Sequence, residues 1–159
     1  MKKKIVAWSL SLFIFLASSI TAYAASTVII YDGGNLFYFD GLSTNSTSCG
    51  YDGKMRYVNQ DTAHFNSLGK WRVNPTGSGI DNYYVYIPSC NSNASVVYSA
   101  FAKNGDRGDI NINQANYSNV WYYLGSYDVE PNNITQSISL YSHDIYSGVV
   151  GWDEAKFTN

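Results

Sequence analysis

Apolar and polar residues alternate along much of this chain with the two-residue period of half-buried strands. Ile110 and Ile112 alternate with Asn111 and Asn113, and Ile138 and Leu140 alternate with Ser137, Ser139 and Tyr141. Between these runs, Trp121, Leu124, Gly125, Tyr127 and Val129 form an aromatic-rich segment whose internal glycine suits a bulge or a close backbone approach. Residues 110–157 therefore read as three consecutive strands joined by polar turns. A helix would not space the apolar residues in this way.

Upstream, residues 28–31 and 36–39 flank Asp32-Gly33-Gly34-Asn35, a turn-rich tetrad that predicts a hairpin. Residues 41–50 read as a polar loop. Residues 55–58, the segment around 65–73, residues 83–87 and residues 96–102 add short strands separated by Asp, Asn, Gly and Pro clusters. Many short strands without an amphipathic helix argue for an antiparallel sandwich or barrel rather than an α/β nucleotide-binding fold. There is no internal repeat, and residues 75–79 form a loop too short for a domain linker.

Several of these segments carry a resemblance. Asn113-Gln114, then Trp121-x-x-Leu124-Gly125-x-Tyr127, then Val149-Val150 and Asp153-x-x-Lys156-Phe157 resemble the golvesin/xanthan lyase carbohydrate-binding-like domain family. Tyr83-Tyr84-Val85-Tyr86-Ile87-Pro88 resembles that family's strand ending in proline, and residues 94–101 resemble the strand that follows. The resemblance implies a jelly-roll-like β-sandwich, an all-β domain appended to secreted bacterial enzymes or surface proteins, and carbohydrate binding without catalysis. It also implies that Trp121, Leu124 and Tyr127 are core residues. The chain departs from the pattern at Gly151-Trp152 and at Glu154, where the family has small apolar residues around the aspartate.

The chain begins with Lys2, Lys3 and Lys4, continues with an apolar stretch from Ile5 to Ala17, and then has Ala22-Tyr23-Ala24, a small-x-small cleavage signature. The apolar stretch is shorter than the roughly 20 residues of a spanning helix. A signal peptide over residues 1–24, a secreted mature chain over 25–159 and no membrane span after cleavage are the expectation. Removing the leader leaves seven basic against twelve acidic side chains, a net charge of −5. That balance argues against nucleic acid and favours a neutral or weakly charged glycan. Cys49 and Cys90 are the only cysteines, and in an exported chain an even pair reads as a disulfide.

Catalytic chemistry finds little support. His64 and His143 sit in no nucleophile or zinc motif. Asp32, Asp40, Asp52, Asp61, Asp153 and Glu154 could supply a glycosidase pair, but no spacing fixes two of them across a cleft. Asp153 shares strand parity with Ala155 and Phe157, which points to a buried structural role, as do the amides of Asn113 and Gln114. The segment 104–109 reads as a loop containing Arg107-Gly108-Asp109; its carboxylates suit calcium, but the alternating ligands of an EF-hand are missing. No metal and no cofactor is assigned.

The best binding candidates are Tyr84, Tyr86, Tyr122 and Tyr123, rings that could stack on sugar C–H faces while their hydroxyls pair with sugar hydroxyls. The expectation is a secreted, noncatalytic carbohydrate-binding-like module with a polysaccharide or cell-wall glycan as partner. The alternative is a protein-interaction or inhibitor role on the same surface, with an extracellular protein as partner.

Overall fold

The computed structural model describes residues 26–105 and 107–159, so the leader expected over residues 1–24 lies outside the described residues. Twelve strands follow in order among the described residues: β1 (Thr27–Ile30), β2 (Phe37–Asp40), β3 (Thr44–Ser46), β4 (Met55–Asn59), β5 (Leu68–Arg72), β6 (Gly79–Ile87), β7 (Ser95–Phe101), β8 (Arg107–Asn113), β9 (Val120–Val129), β10 (Ser137–Tyr141), β11 (Val149–Trp152) and β12 (Ala155–Thr158). All pairings are antiparallel. One sheet has the order β1-β12-β6-β9, the second β2-β5-β10-β7-β8, and a small third sheet β11-β4-β3. The result is a jelly-roll-like antiparallel β-sandwich. No helix among the described residues is long and apolar enough to cross a membrane.

The period of two seen in the sequence becomes the two faces of each sheet. Tyr83, Val85 and Ile87 of β6 and Ala155 and Phe157 of β12 point inward, against Val96, Tyr98 and Ala100 of β7 and Ile138 and Leu140 of β10. Trp71 and Trp152 are wholly buried, and each indole N–H finds a carbonyl: Trp71 donates to Asp153 at 2.8 Å and Trp152 to Leu140 at 2.9 Å. Buried tyrosine and tryptophan without such partners would carry a desolvation cost of about 1–3 kcal/mol each.

Four segments differ from the sequence expectation. The strands at residues 28–31 and 36–39 form, and Tyr31 closes a turn by accepting from Gly33 and Gly34. They make no hairpin, because β1 pairs with β12 and β2 with β5, so the turn hands the chain from one layer to the other. Residues 41–50 hold the short strand β3. β6 begins at Gly79, four residues before its apolar pattern. Arg107-Gly108-Asp109 lies within β8 and not in a loop: Arg107 Nε donates to Asp109 Oδ1 at 2.7 Å and Ser99 Oγ donates to the same oxygen at 2.6 Å.

The glycine of β9 does what its position suggested. Tyr83 pairs with Gly125 and Tyr84 with Tyr123, so Leu124 is the extra residue of a bulge. The bulge reverses strand parity: Tyr122 and Leu124 face the core before it, and Gly125, Tyr127 and Val129 after it. Gly125 has φ +148°, and a Cβ there would meet the Tyr127 ring at 3.0 Å. Outward on the same strand stand Trp121, Tyr123 and Ser126.

Cys49 and Cys90 are bonded, with Cα atoms 6.3 Å apart across 41 residues of sequence. The bridge ties the turn at residues 49–54 to the segment that leaves β6. Gly50, at φ +112°, permits this turn, since a Cβ there would lie 1.8 Å from the Lys54 carbonyl oxygen.

Candidate functional site

The outward face of β12, β6 and β9 is an aromatic platform. Antiparallel register sets Lys156 beside Tyr84, and Tyr84 beside Tyr123, while Trp121 pairs with Tyr86. Ring centroids lie 5.3 Å apart for Tyr84–Tyr123 and for Tyr86–Trp121. Tyr51, from the disulfide-tethered turn, closes one end with centroids 5.1 Å from both Tyr86 and Trp121. Lys156 joins the two halves, its Nζ 4.4 Å from the Tyr84 centroid and 4.6 Å from that of Trp121. Such contacts contribute about 0.5–2 kcal/mol each.

Polar groups border the rings. Ser126 Oγ donates to Asn82 Oδ1 at 2.6 Å, and the Tyr123 hydroxyl lies 2.7 Å from Ser126 Oγ. Burial against the rings lowers the Lys156 ammonium below its ordinary pKa, and burial with the nearby carboxylates of Asp153 and Glu154 raises the Tyr86 phenol. Half-buried rings, one cation and a hydroxyl–amide rim can take an apolar sugar face and its hydroxyls together.

Three of the four tyrosines read from the sequence are brought together here: Tyr84, Tyr86 and Tyr123. Tyr122 is not. It pairs with Val85 on the inward face and packs edge-on against Tyr117, centroids 4.8 Å apart, because neighbouring strand residues point to opposite faces. Trp121, expected in the core with Leu124 and Tyr127, stands on the platform instead; Leu124 is buried and Tyr127 packs on Tyr83. Tyr51 went unread, since its only signal was an aromatic residue in a glycine-flanked turn close to a cysteine. Gln114 and Asp153 are structural as expected. Gln114 donates to the Tyr98 hydroxyl at 2.9 Å and to the Gly151 carbonyl at 3.0 Å, and Asp153 accepts from the Tyr51 amide. Asn113, expected to be buried, is exposed; its side chain accepts from the Ala115 amide and caps a short turn.

Beneath Tyr51 the carboxylates converge in a way their spacing did not foretell. Asp32, Asp52 and Glu154 bring side-chain oxygens within 4.8 Å of one another. Burial raises the carboxyls of Asp32, Asp153 and Glu154 above the ordinary range; at Asp32, Arg56 partly opposes this and Asp153 and Asp52 reinforce it. Glu154 is wholly buried, so no sugar can reach it.

No family model matches the chain, and no curated protein resembles it in sequence. Solved structures do resemble it in fold. A xanthan lyase from Paenibacillus superposes with a TM-score of 0.71 at 20% identity over 84% of this chain, which spans only 13% of that enzyme. A family 35 carbohydrate-binding module from Cellvibrio japonicus Abf62 gives 0.58 at 13% identity, covering 84% of this chain and 93% of the module. The C-terminal family 6 module of the LamC laminarinase from Zobellia galactanivorans gives 0.53 at 14% identity, covering 84% of this chain and all of that one. The chain thus has the β-sandwich fold of carbohydrate-binding modules.

Proposed function

We propose that this chain is a secreted, noncatalytic carbohydrate-binding domain that takes up glycan on the outward face of β12, β6 and β9. The observation that carries the reading is the pair Tyr123–Tyr84 and the trio Trp121, Tyr86 and Tyr51, bridged by Lys156 and open to solvent on a sheet face. The fold neighbours support it, since two are themselves binding modules. The disulfide fits an extracellular compartment. A lysine within the platform suits a neutral or weakly acidic sugar better than a cationic one.

Affinity electrophoresis and calorimetry against a broad panel of soluble and insoluble polysaccharides test the reading. Binding is expected to weaken at least tenfold, about 1.4 kcal/mol, in Trp121→Ala and in Tyr84→Ala. Failure of the unaltered chain across the panel overturns it. Recovery of a stoichiometric protein partner that survives glycosidase treatment would replace it with the protein-interaction role.

A further inference from the structure

We infer that the outward face of the second sheet holds a separate site for an acidic sugar residue of a polysaccharide, with Lys70 and Arg72 of β5 as its anion-binding pair. Register lays the face out. Lys70 stands between Tyr38 of β2 and Ser139 of β10, Ser139 stands beside Ser99 of β7, and Phe101 of β7 stands beside Arg107 of β8. Among these strands opens a trough of about 310 Å³, lined by Ser99, Phe101, Arg107, Ser139, Tyr141 and Asp40. Lys70 borders it, with Nζ 5.2 Å from the Phe101 centroid.

The charges on this face run against those of the whole chain. Seven basic side chains follow the leader, and three of them, Lys70, Arg72 and Arg107, stand here against two acids, Asp40 and Asp109. Arg107 Nε already pairs with Asp109 at 2.7 Å, and Ser99 donates to the same oxygen. Among the described residues no carboxylate pairs with Lys70 or Arg72. Two like charges on alternate residues of one strand repel each other until an anion lies between them. Burial, and then the charge of Arg72, lowers the Lys70 ammonium below its ordinary value, the direction expected of a cation lacking a counter-ion.

Aromatic rings hold both cations ready. Besides Lys70 over Phe101, the Arg72 guanidinium carbon lies 5.2 Å from the Tyr38 centroid. Heads kept over rings lose less side-chain freedom when an anion arrives. Tyr141, 50% exposed and stacked on His143 at 5.5 Å, offers a flat apolar wall to a sugar ring, and Ser139 offers a hydroxyl. A sugar bearing an acid satisfies the wall and the cations together, whereas a neutral sugar leaves the cations unpaired. This site rests on the glycan reading of the chain for its kind of ligand and not for its place.

The test is affinity electrophoresis of the purified chain in polygalacturonate, its methyl ester, dextran sulfate and neutral dextran, with thermal unfolding of each variant to check the fold. Expected is retardation by polygalacturonate that weakens with added salt, is absent with the ester, and falls at least about tenfold when Lys70→Gln and Arg72→Gln are combined. Lys103→Gln, the same change of charge at a lysine paired with Asp128, should leave it unaltered. Should the double variant fail to fold, each single variant carries the comparison. Retardation by dextran sulfate that also depends on Lys70 and Arg72 keeps the site and makes its acid a sulfate. Undiminished binding by the double variant overturns the site, as does equal binding of the ester, or loss in Trp121→Ala with retention in Lys70→Gln. Binding of neutral polysaccharides without binding of either polyanion overturns this site and leaves the platform standing; binding of no polysaccharide at all overturns both.

Discussion

The backbone amide of Tyr51 donates to both carboxylate oxygens of Asp153, at 3.0 and 3.3 Å, so a turn tip is fastened to a residue 102 positions later in the chain. The Cys49–Cys90 bridge fixes the start of the same turn. Two tethers from opposite directions leave Tyr51 one place to stand, against Tyr86 and Trp121.

Replacing both cysteines by serine should therefore act twice. Closing a loop of 41 residues contributes roughly 4 kcal/mol in the chain-entropy picture. Denaturant unfolding should show a loss of that order. Glycan affinity should fall at temperatures where the variant is still folded, because Tyr51 is no longer held. An affinity equal to that of the parent would show that Tyr51 takes no part in binding.

Tyr122 and Tyr123 are adjacent, and substituting each should separate stability from binding. Tyr122 packs on the core beside Tyr117, so Tyr122→Ala should cost about 2–4 kcal/mol and leave polysaccharide retention per folded molecule unchanged. Tyr123 is 50% exposed, and Tyr123→Ala should cost less than about 1 kcal/mol while weakening retention. Parallel chemical denaturation and affinity gels decide. The opposite pattern would mean that β9 is shifted by one residue.

That pair also shows how far the residues alone could be read. Strand existence was legible because Ile110, Ile112, Ile138 and Leu140 keep a strict period of two on half-buried sheets. Partners were not, because Tyr31 and Phe37 lie on either side of a turn whose chemistry suits a hairpin equally well. The platform was half legible: Tyr84 and Tyr86 share parity within one strand, but the outward place of Trp121 depends on register with Tyr86 and on the bulge at Gly125. The carboxylate cluster was illegible, since Asp32, Asp52 and Glu154 meet only when β1, the tethered turn and the final strands assemble. The departure at Glu154 from the family resemblance was its only trace.

Alkaline pH should unfold the protein through Tyr83 and Tyr98. Burial raises both phenols well above the ordinary value of 10.0, with Asp81 and Tyr127 adding at Tyr83, and a hydrogen bond with Gln114 opposing at Tyr98. The folded state thus prefers the protonated phenol more strongly than the unfolded chain does. The stabilisation is complete below pH 10 and declines as pH rises through the unfolded value toward the folded one. Ultraviolet titration should show two tyrosines that ionise only with unfolding, and the urea midpoint should fall steadily above pH 10. Reversible ionisation of every tyrosine in the folded chain would contradict this.

Gln114 offers the sharpest contrast between a structural amide and a sugar-binding one. It is wholly buried, donates to the Tyr98 hydroxyl and the Gly151 carbonyl, and accepts from the Gly151 amide at 3.2 Å. Gln114→Ala strands the Gly151 amide and carbonyl and removes the phenol's partner; each stranded group costs about 1–3 kcal/mol, so a loss of about 3–5 kcal/mol is expected. Gln114→Glu keeps the shape, but its carboxylate accepts where the Gly151 carbonyl needs a donor, so it should be nearly as damaging above the pH at which it ionises. Neither should change glycan affinity measured on the folded fraction, because Gln114 is buried on the inner side of the sheets against Tyr98 and Gly151, whereas Trp121 stands on an outward face. An affinity change without a stability change would place the glycan on that side and remove the platform from the mechanism.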